Sequence, residues 1–423
     1  MLQVNYIREN REQVLERLAV KNFKDIQLVD EVIALDDQRK QTQNKLDTIS
    51  AEANSAAKQI GDLMRTGKKE EAETIKAKTG SFKEEIKTLG EQLMQIEQDL
   101  QQKLVLLPNL PHSSVPNGKT PEENEVAYEH GEKPNLPENA LPHWELAARY
   151  DLIDFELGVK ITGAGFPVYK GKGAKLQRAL IAFFLDEAEK AGYSERMLPL
   201  MVNETSGFGT GQLPDKEGQM YFVGQDNLYL IPTAEVPITN LYRDVILKGE
   251  ELPVKNCGYT PCFRREAGSY GAHVRGLNRL HQFDKVEIVQ VVHPDDSYQV
   301  LEEMSQHVQG LLKKLELPYR VLRLCGGDMS FASALTFDME TWSAAQQRWL
   351  EVSSVSNFET FQASRLKLRF RNAEGKTQLA HTLNGSALAL PRIVATLLEN
   401  NQTEKGIKIP EVLVPYTRFE WID

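Results

Sequence analysis

The densest run of chemically capable side chains is Cys262-Phe263-Arg264-Arg265-Glu266, followed after a loop over 267–278 by Arg279, His281, Phe283, Lys285 and Glu287. Aromatic and β-branched neighbours predict two strands here, and Gly268, Gly271 and Gly276 suit a hairpin loop between them. Side chains alternate faces along a strand. Arg264 and Glu266 are therefore expected on one face, and Arg279, His281, Phe283, Lys285 and Glu287 on one face of the second strand. Guanidinium forks match the oxygens of phosphates and carboxylates. A phenyl face can stack a purine, and a carboxylate can hold an ammonium. The set suits a site that takes a nucleoside triphosphate together with an amino acid. A salt-bridged exposed sheet face would show the same residue types, so other segments must decide.

Those side chains need a sheet to carry them. From about residue 140 the pattern is α+β. An amphipathic helix is predicted over 174–191, with further helices near 295–315 and 391–401. Strand-like runs cover 228–231, 256–265, 279–292, 320–324, 330–338, 349–356, 367–371 and 378–383. Strands and helices that do not strictly alternate predict an antiparallel β-sheet flanked by helices.

The first 107 residues differ. Leu28, Val32, Leu35, Arg39, Thr42, Leu46, Ile49, Ala53, Ala56, Ile60 and Leu63 follow each other at alternating steps of four and three, a heptad seam. A second seam runs Ala72, Ile75, Thr79, Phe82, Ile86, Leu89, Leu93, Ile96 and Leu100, then past Lys103 to Leu107. Gly67 between them can end the first helix. Two helices so joined pack antiparallel, as a coiled-coil arm roughly 54 Å long at 1.5 Å per residue. A short helix over 9–20 precedes it. Pro108, Pro111, Pro116 and Pro121 break the pattern. The expected organisation is an N-terminal helical arm domain, 1–107 (coiled coil about 28–104), a linker or entry segment, 108–139, and a catalytic domain, 140–423.

The composition is ordinary for a globular chain, 41% hydrophobic and 26% charged, and long enough for two or three domains. The net charge of −10 argues against a nucleic-acid partner taken over the whole chain. Charge is local, however. Eight basic residues (Lys58, Arg65, Lys68, Lys69, Lys76, Lys78, Lys83 and Lys87) outnumber six acidic ones at the tip of the arm, over 58–87. A solvated helix face would carry the same excess. No apolar run approaches the roughly 18–20 residues that span a bilayer, and no signal core opens the chain, so no membrane partner and a cytoplasmic location are expected. Cys257, Cys262 and Cys325 are too few for a disulfide framework. The four-residue gap between the first two lacks a second Cys/His pair, so buried thiols rather than structural zinc are expected.

Phe263-Arg264-Arg265-Glu266, the loop, and Arg279-x3-Phe283-x3-Glu287 resemble motif 2 of class II aminoacyl-tRNA synthetases. The longer string from Phe263 to Glu287 is similar to the seryl-tRNA synthetase family, bacterial type. Thr233-Ala234-Glu235 looks like its serine-binding loop. Glu351-Val352-Ser353-Ser354 looks like its ATP and metal strand, and His381 to Ser386 leading to Arg392 like motif 3. Gly192-Tyr193 through Pro199 resembles motif 1, which in this class lies at the dimer interface. The resemblance covers essentially the whole chain, in order. One departure stands out: Ala387, Ala389 and Pro391 occupy positions where motif 3 often has glycine.

The resemblance implies a class II synthetase fold and serine activation by ATP with Mg2+, then transfer to the 3′-terminal ribose of serine tRNA, and also of selenocysteine tRNA. It implies a homodimer whose arm, with the motif 2 loop, meets the tRNA. Arg264, Glu266 and Arg392 would be catalytic, Arg264 bridging the α-phosphate and the substrate carboxylate. Thr233, Ala234, Glu235, Glu287, Asn384 and Ser386 would bind serine. Arg264, Arg265, Glu266, Arg279, Phe283, Glu351, Val352, Ser353, Ser354 and Arg392 would bind ATP. Glu351 and Ser354 would hold Mg2+, although strict alternation puts them on opposite faces unless a bulge intervenes. His273 could touch the acceptor end. A ligase that loads a carrier protein would be expected to lack the arm. A catalytically dead scaffold would be expected to have lost Arg264, Glu266, Glu287, Glu351 or Arg392, and all five are present.

Overall fold

The computed structural model describes the chain except residues 216–217, 267–270 and 272–273, and at Lys78 the backbone alone. The chain divides into two compact units, one of Met1–Ala19 with Phe23–Pro108, the other of Val20–Asn22 with Asn109–Asp423.

In the first unit the helix expected over 9–20 forms as α2 (Arg11–Val20), and a further short helix, α1 (Val4–Glu9), precedes it. Asn10 separates them. Its side-chain amide donates to the Tyr6 carbonyl, the local bond by which asparagine competes with helix continuation. The long helices are α3 (Gln27–Arg65) and α4 (Lys69–Leu104). Over 51–65 only the seam residues Ala53, Ala56, Ile60 and Leu63 are partly buried, while every neighbour is exposed. The helices reverse through Gly67, which is left-handed at φ 81°. Lys68 N–H reaches the Leu63 carbonyl at 2.9 Å and Gly67 N–H the Met64 carbonyl at 3.3 Å, which satisfies carbonyls the helix end leaves open. The second seam was expected to run to Leu107. The helix stops at Leu104, and Leu107 is buried from the following turn.

Among the described residues of this unit Asp36 is the one buried carboxylate. Burial works against its charge, but hydrogen bonds from Lys40, Arg39 and Arg8 hold its carboxyl down at about 2.

In the second unit the strands of the main sheet are β1 (Glu125–His130), β2 (Ser194–Glu195), β3 (Val254–Phe263), β4 (Gln282–Val292), β5 (Tyr319–Arg323), β6 (Leu335–Ser343), β7 (Arg348–Asn357) and β8 (His381–Ala389). They lie in the order β1-β5-β6-β7-β8-β4-β3-β2. All neighbours are antiparallel except β2 and β3, so an expected antiparallel sheet carries one parallel edge pairing. Strand β1 comes from the segment expected as a linker. The helices that matter below are α5 (His143–Arg149), α6 (Gly171–Lys190), α7 (Ser297–Lys314) and α8 (Leu390–Asn400). Leu180 and Phe184 of α6, Leu301 and Val308 of α7, and Ile393 and Leu397 of α8 share one core with Val286, Ile288, Phe337, Met339, Val355 and Leu383 of the sheet. One strand begins later than expected. Residues 330–334 form a loop whose Ser330 and Ser333 carbonyls accept from the Lys21 amine, so β6 starts at Leu335.

Asp36→Asn should cost roughly 3 kcal/mol at pH 7, because three cations lose the buried charge they share. A depressed carboxyl contributes above its ordinary range and loses that contribution as pH falls through about 2, so the deficit should shrink between pH 4 and pH 2. Denaturant melts of the full chain across pH read both.

Candidate active site

Alternation along β4, β7 and β8 gives the sheet one apolar and one polar side. Val286, Ile288, Val355 and Leu383 face the core, whereas Lys285, Glu287, Ser354, Ser356, Asn384 and Ser386 line a cavity of about 630 Å³. Register shifts tune this floor. Met339 pairs with Ser353 but Glu340 with Glu351, so Val352 is an extra residue in β7. That bulge returns Glu351 to the side that carries Ser354, and the conflict expected from strict alternation disappears. In β8 the pairing steps from Ala389–Lys285 to Ser386–Glu287, leaving one extra residue at Ala387-Leu388, both fully buried.

At one end the cavity holds three buried charges. Glu235 is 5% exposed, Glu287 1% and Lys285 4%. Lys285 Nζ pairs with Glu287 and donates to Thr233 Oγ1 at 2.8 Å, and Thr233 Oγ1 donates to Glu287 Oε2 at 3.1 Å. Gln362 Nε2 donates to Glu235 Oε1 at 2.6 Å, while its carbonyl oxygen accepts from Thr382. Two carboxylates thus share one ammonium. Burial first, then the Glu287 carboxylate, push Glu235 up to about 7 against the bonds from Gln362 and Asn384 and the pull of Lys285. A small cation entering here would balance the pocket, and the hydroxyl and amide of Ser386 and Asn384 lie on the same wall.

The other end is cationic and open. The Arg264 guanidinium lies 5.2 Å from the centre of the Phe283 ring, and its Nε donates to the Pro232 carbonyl at 3.3 Å. Arg279 pairs with Glu266 at 2.7 Å. Arg392 sits in the first turn of α8 behind Pro391, where free backbone N–H groups favour anions. Its Nε donates to the Asn278 carbonyl at 3.0 Å and a terminal nitrogen to the Glu351 carbonyl at 2.8 Å.

Among the described residues no three His, Cys, Asp or Glu side chains gather to hold a metal by themselves. Mg2+ at a nucleotide needs only one or two protein oxygens, the phosphates and water supplying the rest. Glu351, half exposed, and Ser354 fit that demand as hard ligands on one side of β7. Asp338, paired across the strands with Ser354, keeps one carboxylate oxygen without a partner beside them.

Of the residues proposed from sequence, Thr233, Glu235, Arg264, Glu266, Arg279, Phe283, Glu287, Glu351, Val352, Ser353, Ser354, Asn384, Ser386 and Arg392 border this one cavity. Two do not. The Ala234 side chain packs against Ile238 and Val289, and Arg265 turns toward the Tyr221 ring, 5.9 Å away. Strand alternation ends before the hairpin loop. Strand β3 stops at Phe263, Glu266 is left-handed at φ 49°, and β4 begins only at Gln282. His281, expected on the active face, instead bonds the Tyr221 hydroxyl and stacks on Phe166. His273 lies outside the described residues. Sequence reading placed Lys285 on the active face with Phe283 and Glu287 but gave it no role, and it missed Gln362, which nothing local marks.

An acid whose pKa is raised on folding stabilises the native state below its ordinary range and loses that contribution as pH rises through the folded value, here about 7. Glu235→Gln should therefore melt above the parent at pH 8, by up to about 3 kcal/mol, and coincide with it near pH 4. Calorimetric melts at the two pH values check this.

Residues 221–401 match the family described as tRNA synthetase class II core domain (G, H, P, S and T), and residues 1–111 match the Seryl-tRNA synthetase N-terminal domain. A serine–tRNA ligase of Salinibacter ruber is 52% identical over 421 residues, covering 99% of this chain and 98% of its own. One of Akkermansia muciniphila is 46% identical, covering 98% and 97%. Among solved structures, a seryl-tRNA synthetase from Pyrococcus horikoshii complexed with ATP superposes with TM-score 0.93 at 32% identity, covering 100% of this chain and 99% of its own. With relatives matched over nearly their full length and both family patterns in place, the chain belongs to the seryl-tRNA synthetase family.

Proposed function

We propose that the protein activates serine with ATP, forming seryl-adenylate and pyrophosphate, and then passes the seryl group to the 3′-terminal ribose of serine tRNA. The observation that carries this is the buried, cation-deficient pocket of Glu235, Glu287, Lys285 and Thr233 beside the arginine-lined end of the same cavity. The serine ammonium completes the charge balance there, and the hydroxyl meets Ser386 and Asn384. A pocket built to bond a hydroxyl rejects analogues that lack it, whereas threonine must be refused by space.

In the first step an oxygen of the serine carboxylate attacks the α-phosphorus. The bond from that phosphorus to the bridging oxygen breaks, and pyrophosphate leaves with the electron pair. Both reactants are anionic. Arg264, at the arginine-lined end, aligns them and offsets the charge that develops. Phe283 offers a face for adenine, Glu266 an acceptor for its amino group, and Arg392 a clamp for the γ-phosphate. Glu351 and Ser354 would hold Mg2+, which lowers the repulsion of the polyphosphate. In the second step a ribose hydroxyl attacks the acyl carbon and AMP departs.

The helical unit is proposed to meet the tRNA through the basic excess at its tip, and the described loop limb 274–279 to face the acceptor end. Homodimerisation is supported by the short edge strand β2, with Met197 and Met201 exposed close after it. No described helix is long and apolar enough to cross a membrane; a cytoplasmic location is proposed from family membership alone.

Charging of serine tRNA with labelled serine and ATP tests the proposal. The full chain should charge it. Deleting residues 30–104 should abolish charging while seryl-adenylate still forms. Charging at the parental rate by the deletion would remove the role given to the helices.

A further inference from the structure

The second unit holds a buried acid–base pair that no step above uses. His143, the first residue of α5, and Glu399, near the end of α8, are both fully buried, and His143 Nδ1 lies 2.7 Å from Glu399 Oε1. The opposite ring nitrogen, Nε2, accepts the backbone N–H of Leu277 at 2.8 Å. A nitrogen that accepts carries no proton, so the partners assign the proton to Nδ1, which donates to Glu399. Glu399 is otherwise satisfied by the His143 backbone N–H, Gln346 and Ser343. The ring has a shape role as well. A Cβ added at Gly276, left-handed at φ 67°, would come within 2.3 Å of Nε2, so the loop crosses the imidazole at a distance only glycine allows.

Leu277 is the neighbour of Asn278, whose carbonyl accepts from Arg392 Nε and whose side-chain amide donates to Gln346. Arg392 and Glu399 stand about two turns apart on α8, hence on one face. Two peptide groups of the loop's return limb, 276–277 and 278–279, are thus held from one helix, the second directly by Arg392 and the first by Glu399 through His143. We propose that the His143–Glu399 pair is a positioning device for the nucleotide site, fixing the limb 276–279 so that Arg392 and Arg279 meet the polyphosphate in register. It acts on ATP and not on the amino acid, whose pocket is built from Thr233, Glu235, Lys285 and Glu287. The inference rests on the reading of Arg392 as a nucleotide ligand.

Substitution can separate the two bonds of the ring. Asparagine at 143 keeps a donor near the Nδ1 position but offers nothing to Leu277. Glutamine places an acceptor near the Nε2 position and gives up the bond to Glu399. In ATP–pyrophosphate exchange, His143→Asn should raise the KM for ATP about tenfold and leave the KM for serine within about twofold, and His143→Gln, which meets Leu277 without the hold of Glu399, should recover only part of the loss. Parental ATP kinetics in His143→Asn would overturn the proposal. So would equal losses in both variants that move ATP and serine together with the melting temperature, since the pair would then serve only the core. If His143→Asn does not accumulate folded, Gly276→Ala carries the test, because it crowds Nε2 and leaves Glu399 alone. The same split between ATP and serine is expected, and its absence overturns the proposal. Arg392→Ala separates the two failures. If it too leaves ATP kinetics parental, the reading of Arg392 falls; if it impairs them while His143→Asn does not, the positioning role alone falls.

Discussion

Burying Glu235, Glu287 and Lys285 in one corner of a cavity is costly in water-excluded protein unless each charge finds partners. Thr233, Gln362 and Asn384 supply neutral partners, yet the balance stays one cation short. Much of the surrounding structure follows from that deficit. Thr233 and Glu235 must be brought from the start of a short helix, Glu235–Asn240, to meet two residues of β4. Gln362 must be held from behind by Thr382 and the Thr210 carbonyl so that its amide faces Glu235. A ligand ammonium removes the deficit, so recognition of an amino group is built into the folded charge pattern.

The rest of the cavity solves a different problem, bringing an anionic carboxylate to an anionic phosphate. The sheet does so by local irregularity. The extra residue at Val352 puts Glu351 and Ser354 on one side, and the extra residue at Ala387-Leu388 carries β8 into α8, where Arg392 meets the helix N-terminus. The alanines and proline that replace glycines in this stretch sit within that bulge and the first helical turn. Ala387 is buried in the core, so the missing glycines do not displace the arginine from the cavity.

Legibility in the sequence followed the range of the interactions. The paired seams of α3 and α4 were readable because heptad spacing is local, and Gly67 marked their reversal. Alternation was readable inside β4, where Phe283, Lys285 and Glu287 share a side, and failed beyond its ends, where Glu266 turns left-handed and Arg279 lies in the loop. The bulge at Val352 leaves no signature in Glu351-Val352-Ser353-Ser354, since it is defined by the partner strand. The roles of Arg264 and Glu287, and Arg392 itself, came from the family resemblance, which orders distant segments that periodicity cannot. Gln362 and the pair His143–Glu399 bond across the fold, the latter over 256 residues, and no local pattern announces such partners.

On this proposal the buried charge pattern takes the amino group, common to all amino acids, and Ser386 with Asn384 the hydroxyl that marks serine, before any tRNA is involved. The measurement that meets it most directly is ATP–pyrophosphate exchange by the full chain, with Mg2+ and each amino acid supplied separately. Exchange with serine, and with neither alanine nor glycine, is the predicted result. Exchange driven by alanine or glycine, or none with any amino acid in folded protein, would contradict the account.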